Sequence, residues 1–273
     1  MSGNLDTLAS PSVASATSPM VGDDSLGSGT PGASKVLPAT TASRELQFLS
    51  LPGLTPYTEA RELQQKMVDQ RARGEIPDTV IFLEHEPVIT RGRGLQGAGS
   101  REGGVRHMPA PMLPPGISFS ETERGGDLTY HGPGQLVIYP ICLLDGEGFG
   151  PRRDIDAFLR KFEGVLINVL ARYGLAGEHR RDATGVWVGE RKLASIGIAI
   201  RKWVTYHGMA VNVVNDFDGF RLISPCGFSP EVMVNLAELE SSASLPPGWQ
   251  PQWRAWLESE LRREFTQSAF ATA

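Results

Sequence analysis

Two residues in the second half of the chain have side chains suited to acyl transfer through a thioester. Cys226 lies in "SPCG", where Gly227 can expose its backbone N–H beside the sulfur. A thiolate can attack an acyl carbonyl, and such an N–H suits an oxyanion hole. A lone cysteine is also commonly a small buried hydrophobe, and the local sequence leaves both interpretations open.

Lys192 is the second candidate, because it leads into the strand-like run "LASIGIAI". Lysines near turns are mostly solvated. Here the small residues Ala194, Ser195 and Gly197 could instead leave a cavity into which the lysine projects. An ammonium beside a thiol lowers the thiol pKa, and a desolvated lysine could itself act as general acid or base.

A glycine-rich segment, "ERGGDLTYHGPGQ" (123–135), contains Arg124 and His131 among four glycines. Glycines between two strands let the backbone approach a ligand closely, although a bulged turn would use them equally well. The spacing matches neither a phosphate-binding loop nor a dinucleotide fingerprint. The five histidines of the chain also lack metal-ligand spacing, so no metal site is predicted.

The composition is that of a soluble globular protein: 273 residues, 40% hydrophobic, 21% charged, with a net charge of −5. This charge predicts no affinity for nucleic acid or for an anionic membrane surface. Two cysteines are too few for a disulfide framework or a sulfur-rich zinc site, and they favour a reducing, cytoplasmic location. No apolar run is long enough to span a membrane.

The first part of the chain divides into a tail and the start of a folded domain. Residues 1–43 contain no aromatic residue and are dominated by Ser, Thr, Ala, Gly and Pro, which predicts a disordered tail before one domain, 44–273. After a short strand, a helix is expected from Thr55 or Thr58, either of which could cap it, to Gly74. A buried strand follows over 78–85, and 90–116 is predicted to be a long loop.

The remaining elements alternate less regularly. The run 134–144 is apolar on both faces, which indicates a central strand with Cys142 inside it as a buried thiol. Asp154 is placed to cap the clearest helix, which ends at Gly174. Its expected buried face comprises Ile155, Phe158, Leu159, Phe162, Leu166 and Leu170. A hairpin turning near Gly189, a long strand and a C-terminal amphipathic helix complete an α/β protein of α+β type, with mixed sheets and packed helices.

The segment "RGGDLTYHGPGQLVIYP" (124–140) resembles the signature of the lipoyl(octanoyl) transferases, the octanoyl-carrier-protein:protein N-octanoyltransferases. Four further segments resemble the family in the same order: "YTEARELQ", "FLEHEPVIT", "RKLASIGIAIRKWVTYHGMAVNV" and "ISPCG". Together they cover about residues 45–240. The resemblance implies the biotin/lipoate protein ligase catalytic-domain fold.

The resemblance also implies roles for individual residues. Cys226 matches the family's thioester-forming nucleophile, and Lys192 matches the lysine that lowers the pKa of that cysteine and serves in acid–base steps. The ligand-binding signature falls on Arg124, Gly125, Gly126, Asp127, Leu128, Thr129, Tyr130 and His131. The pocket-lining residues fall on Ser195, Ile196, Gly197, Gly208, Met209 and Ala210.

The implied reaction moves an octanoyl group from octanoyl-acyl carrier protein to the cysteine and then to a lipoyl-domain lysine, the first step of endogenous lipoylation. The implied acceptors are the lipoyl domains of 2-oxoacid dehydrogenase E2 subunits and the glycine cleavage H protein. Neither a cofactor nor a metal is expected. The chain departs from the family pattern in its tail, in the 90–116 loop and at Phe228 and 234–236. Two alternatives remain: an ATP-dependent lipoate or biotin ligase, suggested by "TRGRG" (90–94), and a non-catalytic acyl-binding module.

Overall fold

Runs of β-branched and aromatic residues assemble into a seven-stranded mixed sheet. The computed structural model describes residues 46–95, 113–144, 153–180, 183–225, 228–239 and 249–266. In spatial order the strands are β1 (Gln47–Thr55), β2 (Thr79–His85), β6 (Gln135–Ile141), β10 (Val204–Asn212), β9 (Arg191–Arg201), β8 (Gly185–Val188) and β7 (Gly177–His179). Only β1 and β2 are parallel; the other neighbours are antiparallel.

A second, three-stranded sheet carries the glycine-rich segment. Its order is β4 (Ser118–Glu121), β3 (Val88–Arg91) and β5 (Leu128–His131). The prediction of a loop from Thr90 is therefore wrong at its start, because Thr90 pairs with Ser120 on one side and Thr129 on the other. A 3₁₀ turn, Arg93–Leu95, follows, and residues 96–112 of the predicted loop lie outside the described residues.

Helix α1 (Tyr57–Ala72) covers one face of the large sheet. Its N-cap is Pro56 with no side-chain cap, so the predicted capping by Thr55 or Thr58 is wrong: the first ends β1 and the second lies inside the helix. The helix ends two residues before Gly74, whose φ of +75° suits glycine. The apolar cluster on this face includes Val68, Ile81, Val137 and Ala210.

Helices α2 (Ile155–Ala171) and α5 (Trp249–Thr266) cover the opposite face. The predicted N-cap is confirmed, since the Asp154 carboxylate accepts a hydrogen bond from Ala157 N at 2.8 Å. Ile155, predicted to be buried, is 40% exposed, because burial of α2 begins one turn later at Phe158. Two short helices, α3 (Asp218–Arg221) and α4 (Leu236–Leu239), lie before α5.

Strand β6 lies between β2 and β10, which confirms its predicted central position. Cys142 is fully buried one residue after β6 rather than inside it, and burial raises the pKa of its thiol well above the ordinary value. The described residues all belong to one compact unit, Thr41–Ala273, while the predicted tail lies outside the described residues. Within the described chain, no helix is both long and apolar enough to cross a membrane.

Candidate active site

A cavity is lined by residues of α1, of the large sheet and of the glycine-rich segment. Ten of the predicted ligand-site residues line it: Arg124, Gly126, Thr129, His131, Ser195, Ile196, Gly197, Gly208, Met209 and Ala210. Four further lining residues were not predicted from the sequence: Tyr57, Val137, Tyr139 and His207. The structure therefore brings together two segments about 70 positions apart in the sequence.

Four residues of the predicted signature do not line the cavity. Alternation along β5 directs Thr129 and His131 to the cavity and directs Leu128 and Tyr130 into a separate apolar cluster. Gly125 donates its N–H to Ile198 O at 2.9 Å, which fixes the segment onto β9. The fourth, Asp127, contributes its backbone oxygen to the local hydrogen bonds of this segment.

Arg124 organises the backbone of the segment from within. Its guanidinium is buried and donates to the backbone oxygens of Thr90 and Asp127, both at 2.8 Å, and to Gly125 O at 3.0 Å. Gly197 allows this segment to lie close to β9, because a Cβ at that position would be 2.8 Å from Gly125 O. The glycine is thus required for the contact between segments as well as for space in the cavity.

A one-residue bulge sets the direction of Lys192. Opposite β8, Val186 pairs with Ala194 and Trp187 pairs with Lys192, so Leu193 is an extra residue on β9. Leu193 and Ala194 both enter the apolar core beneath α2. An extra residue reverses the alternation, so Lys192 faces the same side of the sheet as Ser195 and the cavity.

The Lys192 side chain packs against two aromatic rings. The side chain is 2% exposed, with Nζ 5.6 Å from the Trp187 ring centroid and 5.9 Å from that of Phe228. Gly185, which pairs with Ser195, provides the space it occupies, since a Cβ there would lie 2.8 Å from Lys192 Cε. The structure thus excludes a solvated surface lysine at this position.

Cys226 and Gly227 lie outside the described residues, but their flanks are described. Phe228 N donates to Pro225 O at 3.0 Å. Because Phe228 packs against Lys192, the chain two residues after Cys226 returns to the lysine. Phe228 thus connects Lys192 with the described segment that follows Cys226 in the sequence.

A second irregularity directs His207 into the cavity. Continuing the register of β10 with β6 places His207 opposite Pro140, which has no N–H to donate to the ladder. His207 adopts a φ of +57°, and its own N–H bonds to Gln64 Oε1 at 2.7 Å. Strict alternation would place His207 on the face opposite Gly208, whereas this conformation lets both line the cavity.

Around His207 the cavity wall is polar. Its Nε2 lies 3.5 Å from Glu123 Oε2, and Arg61 forms an ion pair with the same carboxylate. Hydrogen bonding with His207, together with the Arg61 partner, lowers the pKa of Glu123 to about 2, while burial lowers the pKa of His207. Burial also raises the pKa of Tyr57 to about 12. The wall therefore combines a neutral imidazole with an ionised carboxylate.

His85 and Tyr139 form a second buried polar pair behind the cavity. His85 Nδ1 lies 2.9 Å from Thr55 O, a carbonyl that can only accept, so Nδ1 carries the proton. Its Nε2 therefore accepts from the Tyr139 hydroxyl at 2.7 Å. Burial lowers the pKa of His85 to about 4. Among the described residues, no group of three or more His, Cys, Asp or Glu side chains is arranged to hold a metal ion.

The chain is similar to proteins of known family. Residues 56–246 match the lipoyl protein ligase A/B catalytic domain. An octanoyltransferase from Gloeobacter violaceus is 46% identical over 66% of this chain and 76% of its own length. One from Rubrobacter xylanophilus is 43% identical over 74% of this chain and 86% of its own length.

Solved structures share the fold at lower identity. A lipoate-protein ligase A bound with ATP superposes with a TM-score of 0.58 at 18% identity, covering 81% of this chain and 85% of its own. A putative lipoate protein ligase from T. acidophilum with bound lipoic acid gives 0.55 at 18% identity, covering 80% and 84%. These confirm the predicted biotin/lipoate ligase fold. From the domain match and the identity to its relatives, the chain belongs to the octanoyltransferases of the lipoyl protein ligase A/B family.

Proposed function

We propose that this transferase moves an octanoyl group from an acyl carrier protein to a lipoyl-domain lysine through a covalent thioester on Cys226. The observation that carries the proposal is Lys192, a fully buried lysine turned to the cavity face of the sheet and packed against Phe228. Lysine side chains are rarely buried to this extent.

The first half-reaction exchanges one thioester for another. The Cys226 thiolate attacks the octanoyl carbonyl, the new C–S bond forms, and the carrier thiolate leaves and takes up a proton. The Lys192 ammonium favours the thiolate form of Cys226 and can supply that proton. Because the donor is already a thioester, the exchange requires no ATP.

We assign the acyl chain to the cavity. Val137, Ile196, Met209 and Ala210 supply apolar lining, while Gly197 and Gly208 leave space between them. Burying a linear chain contributes up to about 0.8 kcal/mol per methylene, so binding should strengthen with the length of acyl chain that the cavity holds. We assign the remaining signature residues to holding the segment that closes the cavity, as the Gly125 and Arg124 contacts indicate.

The acceptors we propose are the lipoyl domains of 2-oxoacid dehydrogenase E2 subunits and the glycine cleavage H protein. A nucleophilic cysteine must stay reduced, which favours the cytoplasm as the site of action. We assign catalysis to residues 44–273 and none to the tail, 1–43.

Intact-mass measurement after mixing with octanoyl-acyl carrier protein tests the proposal. We expect one octanoyl adduct on the wild type and on Cys142→Ala, the matched control for the buried thiol, and none on Cys226→Ala. An adduct that survives Cys226→Ala would show that the nucleophile is misassigned. Product formed only from free octanoate and ATP would instead favour a ligase, and carrier binding without any adduct would favour a non-catalytic module.

Lys192→Ala tests the role of the lysine separately. Alkylation of Cys226 by iodoacetamide should be slower at neutral pH, and its rate should rise with pH over a higher range than in the wild type. An unchanged rate-versus-pH curve would refute the role of Lys192 in tuning the thiol.

A further inference from the structure

A chain of buried amides runs beside the cavity and has only one consistent orientation. Asn212 Nδ2 donates to Val234 O at 3.2 Å, so its Oδ1 faces Gln135. Gln135 Nε2 donates to that Oδ1 at 3.0 Å and to Tyr130 O at 3.3 Å. Carbonyl oxygens only accept hydrogen bonds, so each partner fixes which end of the amide is nitrogen.

This orientation determines the tautomer of His131. Gln135 Oε1 lies 2.7 Å from His131 Nδ1, and an amide oxygen has no proton to give. His131 Nδ1 must therefore carry the hydrogen and donate it. In the neutral ring the other nitrogen, Nε2, then has a lone pair and no proton. Burial lowers the pKa of His131 well below its ordinary value, so the ring is neutral at physiological pH.

His131 is held at the end of the sheet where Lys192 lies. Gln135 on β6 pairs with Asn212 on β10. Val234, whose carbonyl accepts the hydrogen bond from Asn212, donates its own N–H to Lys192 O at 3.1 Å. His131 itself lines the cavity. His131 thus lies at the end of the sheet that also carries Lys192.

The groups that face His131 keep it neutral. Tyr57 from α1 stacks on it with ring centroids 6.2 Å apart, and His85 from β2 lies 5.5 Å away. Arg124 from the preceding segment and His207 from β10 lower its pKa further. None of the described groups that shift its pKa is a carboxylate, so Nε2 acts as a neutral hydrogen-bond acceptor.

From this geometry we propose that His131 Nε2 accepts the proton of the lysine amine that attacks octanoyl-Cys226, and that Gln135 is the positioning residue that keeps Nε2 unprotonated. This inference rests on the proposed function. It assigns His131 a role in the second half-reaction only, because the first half-reaction involves no amine.

The step balances in atoms and electrons. The neutral amine nitrogen attacks the thioester carbon and the C–N bond forms, which makes the N–H acidic. His131 Nε2 takes that proton as the C–S bond breaks and Cys226 leaves as thiolate. The proton then passes from His131 to the thiolate or to water, which restores the neutral ring, and the product is an amide.

Nitrogen NMR of the protein labelled with ¹⁵N-histidine tests the tautomer in the wild type, with His131→Phe used only to assign the signal. We expect a neutral ring with the proton on Nδ1 at neutral pH. A proton on Nε2, or a charged imidazolium, would overturn the proposal. This measurement requires no variant to be active.

Separate measurement of the two half-reactions tests the chemistry. Octanoyl-enzyme is prepared from octanoyl-acyl carrier protein, purified and mixed with a lipoyl domain, and the loss of the adduct is followed by mass. For His131→Phe we expect aminolysis to slow by about 100-fold or more beyond any change in acylation, the usual contribution of a general base. Aminolysis at the wild-type rate would overturn this inference alone, whereas a wild type that forms no adduct would overturn the proposed function.

Substitutions of Gln135 separate positioning from structure. Gln135→Leu removes the acceptor for Nδ1–H, and we expect aminolysis to slow about tenfold, the factor that one ordinary hydrogen bond supplies. Gln135→Glu keeps an acceptor and should retain aminolysis near neutral pH. Its carboxylate raises the pKa of His131, so aminolysis should fall more steeply on acidification than it does in the wild type. Equal rates and pH profiles for the two variants would refute the positioning role.

Discussion

Ala210 is the position at which the cavity can be shortened with the least disturbance. It lies on β10 with its side chain on the cavity face, paired with Ser195 on β9 and Val137 on β6. Ala210→Leu adds three carbons to the cavity and excludes about three methylenes of a bound acyl chain. At about 0.8 kcal/mol per methylene, octanoyl binding loses about 2.4 kcal/mol, or about 60-fold.

The assay compares single-turnover acylation of Cys226 by octanoyl-carrier and butanoyl-carrier protein. In Ala210→Leu the ratio of the two second-order rate constants should shift about 60-fold toward the short chain. Ala210→Val excludes about two methylenes and should shift the ratio about 15-fold, which provides a graded series. Ala199→Val is the matched control, because Ala199 is buried on the same face of β9 but does not line the cavity.

A folded Ala210→Leu variant with an unchanged ratio would refute the assignment of this cavity to the acyl chain. An equal fall in the acylation rate with both substrates would point instead to a displaced sheet. Ala199→Val would then show a similar fall in rate. The thermal unfolding midpoint of each variant separates these outcomes from simple instability.

Three further predictions concern the scaffold. Asp154→Ala removes the N-cap of α2 and should cost about 1 kcal/mol of unfolding free energy, measured by urea titration. His85 has a folded pKa of about 4, below its unfolded value, so its contribution is complete above about pH 6.5 and is lost as the pH falls toward 4. His85→Gln should flatten the stability curve in that range, and an unchanged slope would contradict this cause. Gly185→Ala places a Cβ 2.2 Å from Ala194 O and 2.8 Å from Lys192 Cε, so it should slow alkylation of the nucleophilic cysteine by displacing this part of β9 together with the lysine. Gly189→Ala, which also has positive φ but open space around it, should not slow alkylation, and equal effects would exclude steric displacement.

The elements of this fold are largely readable from the sequence because their signals are local. The apolar run of β6, the Asp154 cap and the glycine after α2 each depend on neighbours within a few residues. The small sheet was not predicted, since pairing of β3 with β5 depends on residues about 40 positions away. Thr90 and Arg91 read as loop in sequence and become strand only through that pairing.

Some residues of the candidate site can likewise be predicted from the sequence, and others cannot. The glycine-rich segment and the small residues of β9 and β10 stand out by type, and most of them line the cavity. Three other lining residues do not stand out by type, because an aromatic residue or a histidine in an apolar run is commonly a core residue: Tyr57, Tyr139 and His207. The sequence indicates His207 only indirectly. Pro140 lies in a central strand, which implies a break in the hydrogen-bond ladder at the residue opposite it, and that residue is His207.

The two irregularities of the large sheet explain how a regular scaffold presents these side chains. Perfect alternation would bury Lys192 beneath α2 and would turn His207 away from the cavity. The extra residue Leu193 reverses the direction of Lys192, and the missing N–H of Pro140 allows the reversed direction of His207. Such defects would relax in an isolated hairpin. Here β9 and β10 are paired on both sides, and Gln64 and Thr205 satisfy the polar groups that the break at Pro140 leaves without ladder bonds. The strain is therefore retained where the cavity needs it, which is why a long central sheet, rather than a loop, can hold both residues in position.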